Sequence, residues 1–357
     1  MKRFILVFIG GVALLVGACD SENEFTSRIA PLDSFITSVE LPLGECVIDN
    51  LVNPQGVDVR DSLILIRDNS LGRFASIYGM SGFHIVDFVH RGRGPGETSN
   101  LLKVSFCNDS VICAMIASET LLYYNVNELL DGKVLPYNSY TLKNNYAFST
   151  IAPCNDSTIF FVGKNLQDKS NSTRFCICNT HNDDVVYWGE FPSQDEVIKA
   201  APADDYTRQT IYQGWPQICP DKTKIVTYYY YALGFDIITM DNLQVNSVFY
   251  QYSAVKPEYI PQLGINVIRE NEDALCGFLD AACTNQGIYL LYSGKCFADA
   301  THDIGRYILH YDWVGNPIQC YKLPIEVDAF CIDESGNNFY VCYNNESYGE
   351  ILRISIK

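Results

Sequence analysis

Positive charge is scarce in this 357-residue chain, where 25 lysines and arginines face 42 aspartates and glutamates for a formal charge of −17. A surface that acidic repels phosphate backbones, which argues against nucleic acid as a partner. Histidine is scarcer still, at five residues, and His84, His90, His181, His302 and His310 show no zinc-type spacing. The sequence has no Gly-x-Ser-x-Gly elbow and no phosphate-binding loop, so no metal and no cofactor is expected. After the N-terminus, no stretch has the roughly 20 apolar residues that a membrane-spanning helix needs.

What the chain does have is a repeated phrase. Cys107-Asn108-Asp109-Ser110 returns as Cys154-Asn155-Asp156-Ser157, and more loosely as Cys219-Pro220-Asp221-Lys222, Cys283-Thr284-Asn285-Gln286 and Cys331-Ile332-Asp333-Glu334. A first copy, Val59-Arg60-Asp61-Ser62, has valine in place of cysteine. The copies start 48, 47, 65, 64 and 48 residues apart, which is the range of a propeller blade. Each is followed by short β-rich stretches separated by Asp, Asn, Gly and Ser, the pattern of an antiparallel meander. The fold class expected is therefore all-β, a six-bladed β-propeller with four-stranded blades. The sixth unit holds only three strands. Phe35, Val39, Leu41 and Leu43 alternate with polar or small residues, so residues 34–43 are expected to supply the missing one from the N-terminus.

The first twenty residues are an address. Lys2 and Arg3 precede an apolar run from Phe4 to Val16, too short to span a bilayer and typical of a secretory signal. The run ends in Val16-Gly17-Ala18-Cys19, which resembles the bacterial lipobox. That resemblance implies a lipid attached at Cys19 and no other membrane anchor. The acidic Asp20-Ser21-Glu22-Asn23-Glu24 reads as a solvated tether, and it also resembles the stretch that sends lipoproteins of Bacteroides-type bacteria to the cell surface. Residues 1–18 are thus expected to be a signal peptide, 19–33 a tether and 34–357 a single propeller domain, as a monomer.

Fourteen cysteines in an exported chain usually suggest disulfides. Here five occupy the same place in five repeats, where a small, weakly polar side chain suits a crowded interior. Most are expected to be reduced core residues, with Cys176 and Cys178 as candidate exceptions.

The stretch from Phe83 to Glu97, ending Gly92-Arg93-Gly94-Pro95-Gly96-Glu97, is similar to a segment of six-bladed propeller lipoproteins of Bacteroides-type bacteria, relatives of the NHL and TolB-like propellers. The resemblance implies a fold and a location in the outer membrane or at the cell surface, facing outward or into the periplasm. It implies no activity, since propellers host many unrelated ones.

In such a fold the phrase always lies between first and second strands, so its copies share one face. The long links near 191–213 and 252–272, and the loops 163–172 and 294–305, fall on the opposite face. Variable loops on a rigid scaffold usually carry binding sites, so that elaborated face is where a ligand is expected. Tyr206, Arg208, Tyr212 and Trp215 combine rings with a cation, the composition of a sugar or peptide site; the plainer reading is a loop packed over its neighbour. Arg91 and Arg93, with His90 and the glycines, fit an anion-binding nest, or else a turn between blades. The run Tyr228 to Tyr231 fits inter-blade packing better than an aromatic platform. Asp61, Asp109, Asp156, Asp221 and Asp333 form a ring that could hold calcium, although such residues ordinarily bond their own backbone in turns. Asp204, Asp205 and Glu258 are the carboxylates available for glycoside chemistry. Three functions follow in order of preference: a non-catalytic binder of a glycan, peptide or envelope protein; a hydrolase or lyase acting on extracellular polysaccharide or peptide; and a scaffold in an envelope complex.

Overall fold

The computed structural model describes residues 31–357 apart from 71, 117–119, 143–145, 156, 166–172, 196–204, 261–264 and 346. Side chains at 146–150, 164–165, 205–207, 256–257, 259–260, 265–266 and 268 also lie outside the description. Cys19, Asp156 and Asp204 are therefore outside the described residues.

Six four-stranded antiparallel sheets follow one another along the chain. Blade 1 is Pro54–Arg60, Leu63–Asp68, Arg73–Gly79 and His84–His90; blade 2 is Leu101–Asn108, Val111–Ile116, Thr120–Asn125 and Asn138–Thr141. Blade 3 is Tyr146–Asn155, Thr158–Asn165, Thr173–Asn179 and Val185–Glu190; blade 4 is Gly214–Ile218, Lys224–Tyr229, Leu233–Thr239 and Gln244–Gln251. Blade 5 is Phe278–Thr284, Gly287–Tyr292, Gly305–Tyr311 and Pro317–Val327. Blade 6 takes Ala329–Ile332, Asn338–Asn344 and Gly349–Ser355 from the C-terminus and Glu45–Leu51 from the N-terminus. The links before and after blade 4 carry additions, a short helix at Asp205–Ile211 and a hairpin of Val255–Ile260 with Ile265–Glu270.

The core lies between the blades. Each junction of consecutive blades has its own buried cluster: Phe88 and Tyr124 mark the junction of blades 1 and 2, Phe161 and Cys113 that of blades 2 and 3, and Phe235 and Tyr292 that of blades 4 and 5. Strands with apolar residues on both faces are what such a stack requires, because each sheet has a neighbour on either side.

The ring closes with one N-terminal and three C-terminal strands, as the repeat count implied, but the closing strand is not 34–43. Glu45–Leu51 pairs antiparallel with the last strand and buries Ile48 and Leu51, at 5% and 3% exposure, against Val59, Ile64 and Cys342. Residues Ser38–Glu40 instead add a parallel fifth strand to the outer edge of blade 5. The alternation that suggested burial delivers it only at Phe35 and Leu41, which pack on blade 5, while Val39 is 41% exposed and Leu43 67%. The true closing strand hides its period because its register shifts twice, between Cys46 and Ile48 and between Ile48 and Leu51, and Asn50 turns to φ 58°.

Candidate axial cavity

The first strand of every blade lines the ring's axis. In a strand, alternate side chains face opposite ways, so a polar residue set among apolar ones at period two points into the axis while its neighbours pack between blades. Asp58, between Val57 and Val59, does this in blade 1, as do Lys103 and Ser105 in blade 2, Gln217 in blade 4 and Asp280 in blade 5.

Between these strands lies a cavity of about 460 Å³, walled by all six blades and reaching turn residues such as Pro220, Lys222, Gln286 and Glu334. Those are turns of the repeated phrase. This cavity thus opens on the face of uniform turns, opposite the long links. A second cavity of about 320 Å³, lined by the opening residues of the first strands such as Gln55, Leu102 and Leu279 at the opposite end of the axis, shares Asp58, Lys103, Ser105 and Gln217 with the first. Both volumes suit small-molecule sites, and polar groups converging in a cleft are the usual mark of one.

The charged groups inside are held firmly. Asp58 accepts hydrogen bonds from the backbone N–H of Val59 at 2.9 Å and of Phe106, on the next blade, at 2.8 Å. Asp280 repeats the device, accepting from Ala281 at 2.9 Å and from Phe330, again on the next blade, at 3.0 Å. Tyr228 adds its hydroxyl to Asp280 at 3.4 Å. Burial pushes Asp58 up to about 6, against the lowering effect of those N–H groups, Arg60 and Lys103. Asp280 is raised for the same reason.

Lys103 reaches from blade 2 to blade 4, donating to the carbonyl of Pro216 at 3.1 Å and to Gln217 Oε1 at 3.0 Å. Burial lowers its affinity for a proton, and the charges of Asp280 and Asp58 work the other way. Arg67, also lowered by burial, lines the second cavity and donates to the carbonyl of Gln55 at 2.7 Å. At the mouth Arg60 spans two turns, pairing with Asp109 at 2.7 Å and Glu334 at 3.5 Å. Lys222, the last residue of its phrase, adopts φ 61° and lines the cavity. Its ammonium group has no hydrogen bond or ion pair among the described residues, while its backbone N–H donates to the Cys219 carbonyl at 2.9 Å.

The residues singled out from sequence are not gathered at one place. Trp215 lines the second cavity and stacks on Tyr228, with ring centroids 6.0 Å apart. Tyr212 is fully buried; its hydroxyl donates to Asp195 at 2.7 Å and its ring packs against Tyr229 and Phe249, so it is closed to a ligand here. Arg208 is half-buried on the short helix, and the Tyr206 side chain lies outside the description. Arg93 is exposed, and Arg91 lies over the Phe74 ring at 4.9 Å. Between them the nest is already filled: Glu97 accepts from Gly94 N–H at 2.7 Å and occupies the space where a Cβ on Gly92 would stand. Glu258 pairs with Arg269. Of the tyrosine run, Tyr228 faces the axis, Tyr229 bonds Asp236 in a buried cluster with Arg174, and Tyr230 and Tyr231 pack on Phe297 of blade 5. The turn carboxylates are engaged individually, Asp109 by Arg60, Asp221 by Thr223 and Asp333 by Asn337 and Asn338.

Sequence reasoning missed Asp58, Lys103, Gln217 and Asp280. Their signal was present, as polar residues interrupting the apolar strand that precedes each copy of the phrase, but the phrase itself drew the attention.

Comparisons with known proteins agree with this architecture. The model of the TolB-like 6-blade propeller-like family matches residues 45–335. Among solved structures, an exported protein of Bacteroides fragilis is 16% identical with a TM-score of 0.56, covering 90% of this chain and 99% of its own. A DUF4221-family member from Bacteroides vulgatus is 9% identical with a TM-score of 0.52, covering 88% of this chain and 95% of its own. At such identities the likeness concerns the fold. None of the curated proteins matches the chain.

Proposed function

This chain belongs to the TolB-like six-blade propeller family, and from that premise we propose that it is an exported, lipid-anchored binding protein that takes a small polar ligand, a glycan or peptide fragment, into its axial cavity. The observation that carries this reading is the cavity of about 460 Å³ itself, whose walls bring one polar side chain after another from separate blades to the same axis. Export and anchoring have their support in the apolar N-terminus ending at Cys19 and in the exported Bacteroides fragilis protein of the same fold. Cys19→Ala is expected to release the protein from membranes.

A glycan and peptide array tests the cavity. Ser105→Phe would place a ring where both cavities meet and is expected to abolish binding, while Tyr206→Ala and Arg208→Ala leave it intact. The reverse pattern would move the site to the link before blade 4.

A second reading, a hydrolase or lyase, is favoured by the two deep carboxylates, with Asp58 titrating at about 6 where a general acid or base is most useful. Against it, each carboxylate is already shared between two backbone N–H groups, the arrangement of a fixture joining blades. Mass spectrometry of ligand recovered from the protein separates the two: intact ligand fits binding and cleaved ligand fits catalysis.

A further inference from the structure

We infer that the ligand is an anion bearing a carboxylate, seated against blade 4 between Lys222 and Lys103. This rests on the axial cavity being the binding site. The chain as a whole is strongly acidic, with only 25 lysines and arginines, yet Arg60, Lys103 and Lys222 all line this one cavity. Facing them are two acids, Asp58 and Glu334. These are not equally available. Arg60 is committed to Asp109 and Glu334, and Asp58 gives its oxygens to Val59 and Phe106.

The two lysines are left with capacity. The Lys222 ammonium makes no hydrogen bond or ion pair among the described residues. Lys103 spends two of its three donors on neutral oxygens, leaving one N–H at the cavity, with Asp58 and Asp280 as its nearby charges. Both lysines meet the same blade. Lys103 docks on Pro216 and Gln217 in the first strand of blade 4, and Lys222 belongs to the turn that ends that strand. Of the backbone donors there, Cys219 N–H goes to Lys224 and Lys222 N–H to Cys219, and Pro220 has none. An arriving group is therefore met by two ammonium ions, and a charge-assisted bond to a carboxylate is stronger than one to a neutral hydroxyl.

A carboxylate of this size comes from an acidic sugar or from the C-terminus of a short peptide, and the probes distinguish them. Calorimetry on the full-length protein compares glucuronic acid with glucose, and trialanine with its C-terminal amide. One acidic member is expected to bind at least about tenfold more tightly than its neutral counterpart. Lys222→Met should erase that preference and Lys222→Arg should keep it. Equal affinity for acid and neutral form, with both lost in Ser105→Phe, overturns the inference and leaves the cavity as the site. Preference that survives Lys222→Met, or no binding of either acid, also overturns it. Array binding that ignores Ser105→Phe overturns the cavity reading itself.

Discussion

Asp58 carries the clearest consequence of a single side chain's surroundings. Its carboxylate lines the axial cavity yet lies deep in the ring, and burial raises its pKa from 3.8 to about 6. A carboxyl that holds its proton more tightly when folded adds stability at low pH, and that contribution is lost as pH rises through the folded value. The window runs from about 4 to about 6. Asp58→Asn keeps one acceptor and cannot ionise, so it is less stable throughout, but the melting-temperature gap between wild type and variant should narrow as pH rises across that window. Differential scanning calorimetry at a series of pH values measures the gap, and a constant gap would show that Asp58 does not titrate there. Asp58 was legible only in part. A lone aspartate among valines marks a strand face, but its bond to Phe106 on the next blade depends on a contact 48 residues away that the local pattern does not encode. Around Arg91 and Arg93 the sequence allowed either a nest for an anion or a turn between blades, and here a carboxylate of the chain itself, Glu97, accepts from Gly94 N–H.

The repeated phrase marks a strand–turn–strand element in every blade, and it counted the blades correctly because each turn needs a side chain to bond its own backbone. Which residue does so varies. Asn108 and Asn155 accept from the serine two residues on, Asp221 from Thr223, and Thr284 from Gln286. The leading cysteine is less interchangeable: Cys154, Cys219 and Cys331 are buried at one place in three blades, where a small side chain fits between first strands. None of the thirteen described cysteines forms a disulfide, Cys176 and Cys178 included. Thermal melts with and without a thiol reductant should therefore coincide, and a drop on reduction would reveal a disulfide. The long links and the larger of the two cavities lie toward opposite faces, because loop length and the polarity of the first strands are separate signals. Turns of uniform length can still line a cavity when the strands they join all point their polar residues to one axis.

At the scale of the whole ring, stability depends on how the last blade is completed. The blade 6 to blade 1 cluster joins Ile48 and Leu51 from the N-terminal strand to Val59, Ile64 and Ile66 of blade 1 and to Tyr340, Cys342 and Ile351 of blade 6. Two truncations separate the closing strand from the segment before it. Removing residues 1–44 deletes the parallel edge strand Ser38–Glu40, the Leu41 side chain and the Phe35 ring that packs on Tyr311 at 5.3 Å. That loss involves a few apolar side chains worth about 1.5–3 kcal/mol each when fully buried, and the six blades keep all four strands. Removing residues 1–52 also takes Glu45–Leu51, which uncovers the edge of Gly349–Ser355 and opens the last interface to water. An unpaired edge there is a template for association with other chains. The shorter truncation is expected to melt in one cooperative transition a few degrees below the full chain, and the longer one to lose that transition or aggregate. Calorimetry and light scattering read both outcomes. Matching melts for the two truncations would mean that the ring holds without its N-terminal strand, and the closure would then be a seam that the inter-blade clusters do not need.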